Sequence, residues 1–428
     1  MRNLIKSKGG LNKENLLIIL MIFSLIMIPL PHVYTSISFI LLVVVWGYYF
    51  LLTKRYKNIN YSLSYTLLPV LIGLFYCLSY FWSIEPSVTL EVIKTKIPLI
   101  VYPIILLNFP KISPKKTKYI FCCLIFAIAL VDIWIITKSY QHYRIYRDLE
   151  IFFYHNLSNQ IDLNAIYLSA FNAITIFILI FKKNIFNSHN FRLVLIVFFC
   201  FTTFLLSSKM IIFTCFFSIF ISNFFLNQNK IKFIIKYSLI AITISIAAIN
   251  TKVFSQRVNK LFQTDIEKIW TSNNFNNLVV DGISIRILQY KLFFEIIKEE
   301  PSKFLFGYGL GAHKQKLNEK YLQFNIISKT KEFDTIQGLD FHNQYLCTFM
   351  SIGLIGFTLL ISFFVRFLFN SIKKQQILQI SVCVFWMLVF LTEMYLERQR
   401  GVMFFLTTMY IVHITSNKQN DEVSYIRH

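Results

Sequence analysis

The chain has 428 residues, of which 56% are hydrophobic and only 15% charged, and Phe and Tyr contribute 46 and 23. A soluble domain carries about 25% charged residues, and a single core stops growing at roughly 250–300 residues. These proportions exclude a cytosolic enzyme and a disordered chain. Apolar runs of about 20 residues recur instead, the length that crosses a bilayer as a helix, so the composition is that of a polytopic membrane protein. The net charge of +22 would suggest nucleic acid on a soluble protein. Here it follows membrane topology.

The first apolar run, 15–31, follows a basic N-terminus and lacks a small-residue cleavage site, so it reads as a membrane helix. Further runs lie at 33–52, 63–82, 90–109, 118–138, 161–181, 191–207, 209–226, 233–250, 342–365, 376–392 and 401–416. No alternating strand pattern accompanies them, and open sheets cannot span lipid. The expected fold is an all-α bundle of about twelve transmembrane helices. It divides into a bundle over 1–250 with about nine helices, a long loop over 251–341, helices over 342–416 and a tail over 417–428.

Orientation follows the Lys and Arg of the short connections. With the N-terminus in the cytoplasm, 22 of the 43 basic residues fall in cytoplasmic segments and eight at outer turns, and the other 13 lie in the long loop. Every even-numbered connection is then basic, both termini are cytoplasmic and the long loop is extracytoplasmic. Within that loop, residues 284–299 show apolar positions at helical spacing, with Arg286, Lys291, Glu295 and Lys298 between them. That pattern predicts an amphipathic helix on the membrane or on the bundle, stopped by Pro301. Residues 271–281 read as a loop.

The seven cysteines sit in or beside apolar runs without metal-ligand spacing, and read as small buried hydrophobes. Asp132 and Asp162 fall singly near span ends and read as structural or capping groups. No metal site and no cofactor are expected. No internal repeat of the inverted-transporter kind is evident.

Three places break the apolar background on the outer side: Ser207-Ser208-Lys209, Arg286 with Lys291, and Phe341-His342-Asn343-Gln344-Tyr345-Leu346. Polar and ionisable groups at a bilayer edge are costly if unpaired, so they point to a functional site. Each has a plainer reading. Lys209 can snorkel to the interface, Arg286 can be a surface charge, and His342 can start a helix. The run Phe306-Gly307-Tyr308-Gly309-Leu310-Gly311 can be a simple turn, since no strand–helix context makes it a nucleotide loop. His313 is a fallback for His342, in a loop that looks solvated.

Taken together, Gly307-Tyr308-Gly309, then His342-Asn343-Gln344-Tyr345-Leu346, then Gly353-Leu354-Ile355-Gly356 resemble the core signature of the O-antigen ligase family, which includes O-antigen polymerases and protein O-oligosaccharyltransferases. Arg286 matches the Arg that opens the family's preceding amphipathic helix. Ser207-Ser208-Lys209 resembles a small-residue-plus-Arg turn, with Lys in place of Arg, a point charge in place of a bidentate fork. Glu393, Glu397 and Arg398 before Gly401 resemble a further outer element.

The resemblance implies a GT-C-like bundle in the bacterial inner membrane with its site facing the periplasm. The donor is a glycan on undecaprenyl pyrophosphate. The acceptor is lipid A core for a ligase, or a second lipid-linked glycan for a polymerase. Membrane lipids are the other partner, and nucleic acid is not one. Negative charge grows on the departing pyrophosphate, so fixed cations there stabilise the transition state. Lys209 and Arg286 are the candidates, with Arg398 or Arg400 in reserve, and Lys291, Arg398 and Arg400 are expected to bind substrate. His342 is the candidate base for the acceptor hydroxyl. Asn343, Tyr345, Gly307, Tyr308 and Gly309 are expected to contact substrate. The displacement is metal-independent and inverting.

Some polymerases of the family carry two large outer loops, each with an Arg followed eleven positions later by Gly. Arg144, Arg147, Arg257 and Arg286 have no Gly at that offset, which favours a ligase. A transporter or flippase is the competing class. It predicts mid-span charge and broken helices in matching halves, whereas these spans look nearly free of such charge.

Overall fold

A computed structural model gives the fold over residues 13–53, 63–110, 112–206, 209–226, 266–271, 284–324 and 338–416. Among the described residues every regular element is helical. The main helices are α1 (Lys13–Met27), α2 (His32–Leu52), α3 (Leu68–Leu78), α4 (Pro86–Ile93), α5 (Ile97–Leu107), α6 (Pro114–Tyr146), α7 (Ala165–Phe181), α8 (His189–Leu205) and α9 (Lys209–Leu226). They continue as α10 (Ser284–Glu299), α11 (His313–Gln323), α12 (Gln344–Lys373), α13 (Ile377–Val389) and α14 (Gln399–Ser416).

Local chemistry sets several of these boundaries. Ser113 caps α6 by accepting the Lys116 amide at 3.4 Å, with Pro114 at the first turn. Arg147 ends that helix in the left-handed region. Asn164 caps α7 through the Ile166 amide at 2.8 Å, and Ser188 caps α8 through Phe191 at 3.2 Å.

Four helical runs are long and apolar enough to cross a bilayer: α2, Tyr65–Trp82 around α3, α6 and α12. The pair Tyr154–Ile161 and α7, bent by 85°, makes a fifth if it counts as one crossing. Four shorter apolar helices coincide with α1, α8, α9 and α13. The protein is a helical membrane protein. The expected spans fall on helices except 233–250, which lies outside the described residues. The 90–109 span is two helices, α4 and α5, broken at Lys94–Lys96.

A large apolar core runs through the bundle, and a second cluster lies under α10 and α11. In the second, Leu288, Leu292 and Ile296 of α10 meet Leu317 and Tyr321 of α11 and Met350 of α12. Burying each such side chain contributes about 1.5–3 kcal/mol. The amphipathic helix is therefore fastened to the bundle by its apolar face.

Asp132 does not sit at a span end. It lies in the middle of α6, fully buried, facing Asn172 of α7 and Thr202 of α8. Period-based boundaries ended the span at 138, but the helix runs on to Tyr146 and puts Asp132 inside it. Asp162 does sit at an element end, with φ of 51° just before α7.

Candidate functional site

The site is assembled where α12 begins. Its first residues, 344–351, are set off from the rest by non-helical backbone at Ile352 and Gly353, where Gly353 has φ of 68°. Free amides and carbonyls at this break are taken by segment 304–311. Tyr308 N donates to Met350 O at 2.8 Å, Gly309 N to Ser351 O at 3.0 Å, and Leu354 N to Phe304 O at 2.9 Å. The same segment reaches the end of the α3 run, where Leu310 N donates to Ser79 Oγ at 3.1 Å and Ile84 N to Tyr308 O at 3.1 Å. Gly307 N donates to Lys303 O at 2.8 Å. The amides of Gly307, Tyr308 and Gly309 are thus used inside the fold. Tyr308 is fully buried, with its hydroxyl near Ile296 O.

His342 precedes α12 with φ of 46°, a left-handed conformation that costs a non-glycine residue about 1–3 kcal/mol. It is half-exposed. Asn343 next to it is the helix cap. Its Oδ1 accepts the amides of Tyr345 at 2.9 Å and Leu346 at 3.1 Å, and its Nδ2 donates to Tyr290 OH at 2.7 Å. The Tyr345 hydroxyl donates to Met387 O at 2.9 Å. Both residues were expected at the substrate, and in the fold their polar atoms hold the start of α12.

Behind the His342 turn lies a buried polar cluster. His313, the first residue of α11, is fully buried, which corrects the solvated setting expected for it. Its Nε2 lies 3.2 Å from Asp340 Oδ1 and 3.4 Å from Cys347 Sγ, and its Nδ1 lies 3.0 Å from Ser351 Oγ. Lys314 reaches Asp340 Oδ2 at 3.2 Å. Burial alone would raise the Asp340 carboxyl, but His313 and Lys314 hold it below the usual carboxylate range. An ionised carboxylate only accepts, so the proton faces it from Nε2. Donor atoms of His313, Asp340 and Cys347 lie within 4.8 Å of one another. Their spacing is that of hydrogen bonds, and Lys314 already supplies positive charge to the carboxylate.

The cationic side is built by α10 and by the α13–α14 connection. Arg286, on the first turn of α10, lies 3.9 Å from Glu393 Oε1. Burial pushes the Glu393 carboxyl up to about 7, with Arg286 and Arg398 pulling the other way. Burial and the Arg286 charge together lower His342, so its imidazole is neutral near pH 7 and able to take a proton. Lys291 is directed away from that centre: its ammonium lies 3.8 Å from Glu295 and 5.1 Å from the Phe324 ring centroid. Arg400 donates to Leu30 O at 3.1 Å and to Asp162 O at 2.9 Å. Arg398 is exposed beside the Tyr167 ring. Ser207 and Ser208 lie outside the described residues, and Lys209 is placed by its backbone alone, as the first residue of α9.

Of the expected site residues, Arg286 acts on His342 through its charge. Sequence reading passed over three residues of this region. Lys96, counted as a loop charge, is fully buried and donates to the Leu396 carbonyl and, at 2.8 Å, to Glu397. Gln289 donates to Asp340 O at 2.6 Å from one turn beyond Arg286. Asp340 itself sits two residues before His342. The one signal available was spacing: Cys347 and Ser351, four apart on a helix, share the face that meets His313.

Residues 164–361 match the family model described as O-Antigen ligase. No curated protein matches the chain.

Proposed function

Since the chain belongs to the O-antigen ligase and polymerase superfamily, with an O-antigen ligase-type glycosyltransferase activity, we propose that it transfers a glycan from undecaprenyl pyrophosphate to a sugar of lipid A core. The reading that it is a ligase rather than a polymerase rests on the missing Arg-to-Gly spacing in its outer loops. The setting is the inner membrane, with about twelve crossings, cytoplasmic termini and the site on the periplasmic side.

The observation that carries the mechanism is the place of His342, partly exposed in a left-handed turn just before α12, where burial and the Arg286 charge lower its imidazole. His342 takes the proton of the acceptor hydroxyl as that oxygen attacks the anomeric carbon. The bond from that carbon to the phosphate oxygen breaks, and its electron pair leaves with the polyprenyl pyrophosphate. Arg286 and Lys209 stabilise the charge that grows on the leaving group. Loss of one such group costs about 10²–10³ in rate. Attack from the face opposite the leaving group inverts the anomeric centre. Asn343 and Tyr345 hold the helix start, and the Gly307–Gly309 turn fixes its angle.

The test is a lipopolysaccharide gel of a deletion strain rescued with wild type or His342→Ala. Loss of all O-antigen from lipid A core, with polymer accumulating on the carrier, identifies the ligase. Core carrying a single repeat with no ladder identifies a polymerase. Full rescue by His342→Ala removes the assigned base.

A further inference from the structure

We propose that the buried His313–Asp340 pair is a positioning device for His342, locking its turn against the Arg286 helix and the start of α12. The proposal rests on the role given to His342 above.

Asp340 is the junction of the cluster. One carboxylate oxygen meets His313 Nε2 and also accepts the Phe341 amide at 2.9 Å, and the other meets Lys314. Its carbonyl accepts from Gln289, which also lies 3.1 Å from Tyr321 OH. Through Gln289 the junction reaches α10 one turn from Arg286. Through His313 and Ser351 it reaches the first segment of α12. Three elements that carry the proposed base, the proposed cation and the helix start are thus tied to one residue two places before His342, α10 through its backbone carbonyl and α11 and α12 through its carboxylate and His313. A left-handed residue persists only where its surroundings over-determine it, and these bonds do so. Neither His313 nor Asp340 needs to touch substrate. The apolar cluster beneath α10 and α11 touches the pair at one ring, Phe341, stacked on His313 at 6.2 Å, so their loss is expected to move the turn that carries Phe341 and His342 and to leave the helices packed.

The effect is read as kcat. A misplacement of about 1 Å at a catalytic group costs on the order of 10²-fold. In the purified full-length protein, Asp340→Asn is expected to lower kcat about 100-fold, with the donor KM within about twofold of wild type. His313→Gln, which keeps a donor toward Asp340, is expected to retain more activity than His313→Phe. The Asp340→Asn variant is nearly isosteric, so it keeps the test open if His313→Phe does not fold. In a His342→Gln background, Asp340→Asn is expected to add less than about twofold, because residues acting as a unit are non-additive. An equal loss in both backgrounds marks a merely structural role and overturns the proposal, as does a wild-type rate for Asp340→Asn. Stoichiometric zinc in the wild-type protein also overturns it, replacing the hydrogen-bonded pair with a metal centre. A wild-type rate for His342→Gln alone removes the base and this proposal with it. A slow His342→Gln beside a normal Asp340→Asn removes this proposal only.

Discussion

Gly307 and Gly353 meet backbone to backbone. A Cβ on Gly307 would stand 2.7 Å from the Gly353 nitrogen, and a Cβ on Gly353 would overlap the Leu305 carbonyl oxygen. Both have positive φ, 73° and 68°. Two motifs far apart in sequence are the two sides of one crossing, and that crossing aims the first segment of α12 at the site.

Gly353→Ala is therefore expected to lose folded protein. Left-handed strain costs about 1–3 kcal/mol, and the overlap with backbone adds to it. Gly338, also at positive φ but in open space, is the control, expected to bear only the strain. Thermal unfolding in detergent measures both, and a Gly353→Ala melting temperature equal to the Gly338→Ala value contradicts the crossing.

Transfer is expected to stay high down to a pH below 6.5, because burial and Arg286 both lower His342. Below that point the imidazole is protonated and ceases to be a base. Arg286→Gln removes a neighbouring positive charge, so the acid limb moves to higher pH while the maximal rate falls about 10²–10³-fold. A pH–rate profile of the two proteins reads this directly. An unmoved limb in Arg286→Gln disconnects the two residues.

Glu393 occupies Arg286 before any anion arrives. Glu393→Gln is expected to lower the donor KM about two- to fivefold, the range of a half-exposed ion pair. The substitution also changes stability against pH. A buried carboxyl raised to about 7 favours the protonated folded state. Its contribution is therefore complete below about pH 4.5 and is lost as pH rises through about 7. Glu393→Gln flattens that dependence, and melting curves across the window measure it.

Asp132 is a buried acid inside a membrane helix with amide and hydroxyl neighbours. An uncompensated charge there is costly. Asp132→Asn is expected to keep or raise the melting temperature and to leave transfer unchanged. Asp132→Lys, which places a charge that cannot easily be neutralised among α6, α7 and α8, is expected to abolish accumulation in the membrane. Lost transfer in a well-folded Asp132→Asn protein would show that the acid has a part in the reaction.

Some of this was legible in the residues themselves. Apolar runs of bilayer length predicted helices, because a backbone in lipid has no other partner for its polar groups. The spacing of apolar residues over 284–299 predicted α10, and His342 and Arg286 stood out because ionisable groups at a membrane edge are rare. Helical period fixed which residues face inward but not how far a helix extends, so Asp132 was placed at an end when it lies in the middle.

The rest depended on contacts that no local pattern encodes. His313 looked solvated because its neighbours in sequence are Lys and Gln; it is buried because Asp340, Cys347 and Ser351 arrive from other elements. Lys96 looked like a loop charge until Glu397 came to meet it. Composition and period alone made this chain a membrane bundle, since lipid leaves the backbone few options. Tertiary structure decided which charges are paired, which glycines touch and where His342 stands, because those depend on residues brought together only when the helices pack.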